Sequence, residues 1–196
     1  MPITIGAKPE SDFSDPIGML GDCHRRIERF LAVLVKLASE WRGAALGEQE
    51  RAALSASLRY FREAAPKHTA DEEESLFPRM RAADPEGARA VFACLDALEN
   101  EHRAAVEWHA EADALGMVWL RRGSLSSDEA SRLETLVGQL AALYRSHIRI
   151  EDTEVFPNAA RILSPDDRQG IGVEMAARRG LGGKESGGPP MVQLSS

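Results

Sequence analysis

Several things are scarce in this 196-residue chain. It has two cysteines, Cys23 and Cys94, too few and too far apart for a disulfide framework or a CxxC metal knuckle. Both are read as free thiols, with Cys94 packed in a helix. No apolar run approaches the roughly 18 residues that a membrane span needs, so no membrane association is expected. The opening MPITIGAKPE has neither the basic nor the apolar region of a signal peptide, and a cytoplasmic location is the expectation. Alternating or β-branched runs are missing, which excludes sandwiches and doubly wound sheets. No basic stripe stands out either. A net charge of −7 and a pI near 5.3 repel phosphate backbones, so nucleic acid is not an expected partner. No protein partner is indicated.

What is present is helical periodicity, in a chain whose 43% hydrophobic and 28% charged residues suit a buried core. Leu20, His24, Ile27, Leu31, Leu34, Ala38 and Trp41 step by three and four, predicting a helix over about 16–42. Leu54, Leu58, Phe61, Ala65, His68, Glu72 and Leu76 lay out a second stripe. Val91, Leu95, Leu98, His102, Ala105, His109, Ala112, Gly116 and Trp119 lay out a third. Leu133, Leu136, Leu140, Leu143, His147, Glu151 and Glu154 lay out a fourth.

Breaks between these stripes fall at Gly43 to Gly47, at Asp84-Pro85, which opens the third helix, and at Gly123 to Ser126. Ser126 and Glu129 match a capping box. Pro66 should kink the second helix near Arg62 or restart it just before His68. Ser164-Pro165 reads as the cap of a short helix ending near Arg179. The expectation is an all-α fold: an antiparallel up-down-up-down four-helix bundle with a short C-terminal fifth helix. Its divisions are an N-terminal extension (1–13), the bundle (14–163), the short helix (164–179) and a flexible tail (180–196).

Two stretches repeat. HTADEEESLFP at 68–78 and HIRIEDTEVFP at 147–157 align His68 with His147, Glu72 with Glu151 and Phe77-Pro78 with Phe156-Pro157. In each, the glutamate follows its histidine by four residues and shares its helix face. A histidine one hairpin earlier completes each half: His24 precedes His68 by 44 residues and His102 precedes His147 by 45. Counted from guessed turns at Ala45, Asp84 and Ser124, the four histidines agree in level to within one or two residues, about 1.5 to 3 Å along the axis.

Two carboxylates in an apolar core need neutralising, and four histidines carry no assured positive charge at neutral pH. A cation resolves the conflict. Four nitrogens and two carboxylates exceed what one tetrahedral zinc takes, and they suit two adjacent metals with both carboxylates bridging. The candidate ligands are therefore His24, His68, Glu72, His102, His147 and Glu151.

This set, over roughly residues 14–162, resembles the hemerythrin-like (HHE cation-binding) family. The resemblance implies a four-helix bundle around two non-haem iron ions, bridged by the glutamates and an oxo or hydroxo group, with histidines as terminal ligands. Oxygen-carrying hemerythrins differ by an HxxxH on the third helix and an HxxxxD on the fourth. Here Val106 follows His102 by four, and Glu151 replaces the aspartate. The missing fifth histidine implies an open position on each iron. Dedicated oxygen carriage is thereby disfavoured, and sensing, storage or stress response with O2 or a related diatomic or peroxide ligand is favoured. An enzyme acting on peroxide or nitric oxide, or donating iron for cluster repair, is the alternative, as is a metal-free helical interaction module.

Other residues have plainer expected roles. Glu73 and Glu74 read as solvated, or as surface partners of Arg79 and Arg81. Glu28 is exposed or supports the site from outside. His109, about 10 Å beyond His102, supports the site, lines an access channel or packs in the core. Tyr60 and Tyr144 are core tyrosines or donors to a bound ligand. Phe77-Pro78 and Phe156-Pro157 lid the site. Trp41 and Trp119 pack in the core or at the bundle end, and Cys23 points away from the ligands.

Overall fold

The computed structural model describes residues 10–83 and 89–181, and among them every regular element is helical. These are α1 (Pro16–Trp41), α2 (Glu48–Glu63), α3 (Ala65–Ala70), a π-helical segment (Asp71–Leu76), α4 (Phe77–Ala83), α5 (Arg89–Arg122), α6 (Ser127–Ile150), a second π-helical segment (Glu151–Val155), α7 (Phe156–Ile162) and α8 (Pro165–Arg178). The expected Asp84-Pro85 helix start, the Val91 side chain and the tail from residue 182 lie outside the described residues. Among those described, no helix is long and apolar enough to cross a membrane.

Local chemistry places the ends. Asp15 caps α1 by accepting from the Gly18 amide, with Pro16 in the first turn. Ser126 and Glu129 form the expected capping box, and Ser164 and Asp167 form another ahead of Pro165. Each cap satisfies amides that would otherwise cost about 1 kcal/mol. Arg42 (φ 45°) and Gly43 (φ 76°) turn the chain out of α1. The Gly43 carbonyl accepts from the Leu125 amide at 2.8 Å, and Trp119 Nε1 donates to the Ala44 carbonyl at 2.8 Å. Trp119 thus closes one end of the bundle.

Pro66 restarts the helix, and the break at Ala64 separates α2 from α3. The two π-helical segments were not legible in the periodicity. Each widens one turn by a residue, directly at a repeated glutamate. The second one re-phases its face: Glu154, expected inward, is exposed, and Val155 is buried in its place.

α1 packs against α2 and α6, and α5 packs against the same two helices, which closes a ring of four. Its interior holds two apolar cores. One gathers Ile27, Leu31, Leu58, Phe61, Leu136 and Leu140, and the other gathers Leu20, Phe77, Leu98, Phe156 and Met175. Between them α1, α3, α5, α6 and the two π-helical segments contribute buried polar side chains, so the candidate ligands form a layer with an apolar core on either side along the bundle. α8 packs on α1 and on the first π-helical segment, burying Ile171 and Met175. Gly172 lets α8 lie against the chain just ahead of α1, because a Cβ there would lie 2.0 Å from the Phe13 carbonyl oxygen.

Candidate metal centre

All six predicted side chains meet in this layer, each buried: His24 from α1, His68 from α3, His102 from α5, His147 from α6, and Glu72 and Glu151 from the two π-helical segments. Donor atoms of His24, His68, Glu72 and Glu151 lie within 4.8 Å of one another, and so do those of Glu72, His102, His147 and Glu151. Both carboxylates belong to both sets. Two four-donor sites therefore lie side by side.

The imidazoles turn Nε2 inward. His24 Nε2 lies 3.1 Å from Glu151 Oε2 and 3.8 Å from Glu72 Oε1. His68 Nε2 lies 3.2 Å from Glu72 Oε1, His102 Nε2 3.6 Å from Glu72 Oε2, and His147 Nε2 3.3 Å from Glu151 Oε1. The approach directions nevertheless miss hydrogen-bond geometry. Both oxygens of Glu72, both of Glu151, and Nε2 of His24 and His147 are buried with no hydrogen-bond partner. One such orphan costs about 1–3 kcal/mol. Six shared between two adjoining sets, all lone-pair donors, are what cations satisfy, so the residues fit a metal.

With protons as the only counter-ions the cluster is strained. Burial, then the neighbouring Glu151 charge, push Glu72 up to about 8. Glu151 is also opposed by burial, yet His147 and His24 hold it well below the usual carboxylate range. Burial disfavours the His24 cation, but Asp152, Glu151 and Glu72 outweigh it and raise that histidine to about 12. Burial likewise acts against His147, and Glu151, Glu72 and Glu101 lift it to about 9. His68 is lowered by burial and by the His24 charge, and His102 by burial and the His147 charge. Cations would replace the protons held on His24 and His147, whose charges already disfavour protonation of His68 and His102.

Outer partners fix three of the rings. His24 Nδ1 meets Asp152 Oδ1, His102 Nδ1 meets Glu73 Oε1, and His147 Nδ1 meets Glu101 Oε2, each at 2.8 Å. A carboxylate on Nδ1 leaves Nε2 as the lone-pair donor and strengthens it as a ligand. The expectation for Glu73 is thereby corrected: it spans to His102 rather than being merely solvated. Asp152 and Glu101 were missed. The signal available was that an acid follows the glutamate in both repeats, as Glu73 and as Asp152.

Glu74 pairs instead with Arg178, Arg79 with Glu174, and Arg81 with Asp96 and Glu99, so the expected surface pairing of Glu73 and Glu74 with Arg79 and Arg81 does not form. Glu28 is exposed. Phe156 stacks on His24 with ring centroids 5.0 Å apart, and Phe77 is buried in the same core, both covering one side of the layer. Cys23 is buried and Cys94 half-buried.

On the other side, a cavity of about 340 Å³ abuts one of the six clustered residues, His102. Phe61, Ala65, Pro66, Ala105 and Val106 give it apolar walls, and His102, Glu73, His109 and Tyr144, with Thr69 and Arg103, supply its polar ones. His109 Nε2 and Tyr144 Oη are 2.9 Å apart. Burial pushes His109 down to about 4 and raises the Tyr144 hydroxyl, so the pair stays neutral at neutral pH. His109 thus lines a passage beside the site and is outside both four-donor sets. Tyr60 directs its hydroxyl to the Cys23 carbonyl at 3.5 Å.

Comparison with known proteins agrees with this geometry. An uncharacterized protein of Haemophilus influenzae is 29% identical over 174 residues, covering 85% of this chain and 91% of that protein. The family model for the hemerythrin HHE cation binding domain matches residues 15–159, which include all six clustered histidines and glutamates. A match of that extent over residues that build two adjoining cation-binding sets makes this chain a member of the hemerythrin HHE cation-binding family.

Proposed function

We propose that this chain is a cytoplasmic non-haem di-iron protein that binds O2 or a related diatomic or peroxide ligand for sensing, storage or stress response. Its frame in this reading is an antiparallel up-down-up-down bundle over residues 14–163, with 164–179 as a short fifth helix. The supporting observation is the pair of four-donor sets that share both buried carboxylates. His24 and His68 would hold one iron, His102 and His147 the other, with Glu72 and Glu151 between them. Two irons there would supply electron exchange and a place for a small ligand to bind.

The chain's own residues do the rest. The two apolar cores keep bulk water from the layer, and the cavity beside His102 admits a small guest. Asp152, Glu73 and Glu101 orient three imidazoles. An iron assay on protein purified from iron-replete cells tests the reading. Two irons per chain, lost in a Glu72→Ala variant, is the expected result. Full-length, folded protein that retains less than one iron per chain under those conditions would sink it.

Turnover of peroxide or nitric oxide is the second reading. The neutral His109–Tyr144 pair on the cavity wall favours it, because a hydroxyl there can donate to a bound guest. Consumption of peroxide by loaded protein, compared with His68→Ala and Tyr144→Phe variants, separates catalysis from simple binding.

A further inference from the structure

The repeat extends beyond the ligands, and it fails at one place. Superposing the halves in sequence sets His24 on His102, His68 on His147, Glu72 on Glu151 and Glu73 on Asp152. The outer hydrogen bonds obey this pairing: Glu73, after the first glutamate, holds His102, and Asp152, after the second, holds His24. Glu101, immediately before His102, holds His147. The matching residue before His24 is Cys23. It should hold His68, but His68 Nδ1 is buried and has no hydrogen-bond partner. The Cys23 sulfur is engaged elsewhere, accepting from Arg26 Nη2 at 3.2 Å.

Three histidines therefore carry an anionic partner and one carries none. The odd one belongs to the His24/His68 set, and the His102/His147 set is fully supported. We propose that the two cation positions are inequivalent: the His102/His147 position holds its metal tightly, and the His24/His68 position is the exchangeable one because Cys23 stands where the other half carries Glu101. This rests on the two-cation reading above. Since loss of an outer partner weakens a metal site by about 10- to 100-fold, the gap between the positions falls in that range. The repeat preserves the inner ligands in both halves and changes one supporting residue, which tunes one position without altering its donor set.

The test uses full-length protein loaded with Co(II) and challenged with EDTA, counting cations per chain over time by native mass spectrometry. Two release phases are expected, about 10- to 100-fold apart, with a one-cation species accumulating between them. Glu101→Ala, at a half-exposed side chain whose loss leaves the cores intact, should speed the slow phase until the phases merge. Cys23→Glu should slow the fast phase. His68→Ala should retain one slowly released cation, and His147→Ala one quickly released cation. Should the Cys23 variant fail to fold, Glu101→Ala and the two histidine variants still decide. Release of both cations in a single phase, or Glu101→Ala changing both phases equally, overturns the inequivalence while leaving the two-cation reading standing. Loading of fewer than two Co(II) per chain overturns that reading and this proposal together.

Discussion

The segments 68–78 and 147–157 carry the same ligands at the same spacing but are supported in different ways. His147 rides on α6, a continuous helix of 24 residues, and beyond Glu151 the chain is exposed at Asp152, Thr153 and Glu154. His68 follows a break at Ala64 and sits on a helix of only 6 residues. In that segment Asp71 and Ser75 are buried, and α8 grips them. Arg178 Nη1 and Arg179 Nη2 reach the Asp71 carboxylate at 3.0 and 2.6 Å, and Ser75 Oγ donates to Glu174 Oε2 at 2.5 Å. Arg79 closes the patch on Glu174 at 2.7 Å. The proline that interrupts the second helix removes support that the C-terminal helix restores from outside. Equal ligand motifs therefore need not have equal scaffolds.

Four measurements would break or sharpen this contrast. The largest effect should come from the shared carboxylates. Glu72→Ala or Glu151→Ala touches both four-donor sets, so bound metal measured by plasma emission should fall below one ion per chain for either variant, whichever scaffold carries it. Chelation of unmutated protein is expected to lower the melting temperature, because a ligand present at 1,000 times its dissociation constant stabilises the fold by about 4 kcal/mol. A melting temperature indifferent to EDTA would favour a metal-free helical module instead.

Next in size is Asp71→Ala. It leaves two arginines facing a buried site, and breaking such pairs costs about 3–5 kcal/mol, to be read as a shift in the urea midpoint. For comparison, Asp152→Ala in the second motif removes an exposed carboxylate. Its midpoint should move by less than about 1 kcal/mol, while metal affinity falls about 10- to 100-fold through His24. Equal destabilisation by both variants would contradict the difference in support.

The smallest effect concerns His109, on the cavity side of the second motif. Burial holds its folded form at about 4, below the ordinary 6.5 of an unfolded imidazole. Between these values the unfolded chain binds more protons, so stability present above pH 6.5 is lost as pH falls toward 4. A His109→Phe variant should show a shallower decline of the urea midpoint over that window. An unchanged slope would place His109 in water.

Much of the fold and the six clustered residues could be read in advance, and the omissions have a common cause. The stripes, the capping boxes at Ser126 and Ser164 and the restart at Pro66 are local, governed by spacing of three or four residues and by backbone chemistry within one turn. Glu73 sits among four consecutive acids and looks solvated, and only the rotation of its helix against α5 turns it to His102. The π-helical segments depend on burying Glu72 and Glu151 together, a demand felt only once the helices are packed.

By itself, then, the sequence determined the helices, their caps and the convergence of four histidines with two glutamates, because these follow from periodicity and from counting rise per residue. Tertiary structure alone decided which acids hold which imidazoles, that His68 lacks one, and that α8 braces the first motif. Those contacts cross between helices, and they depend on axial rotations and shifts smaller than one turn, which no count along the chain can supply.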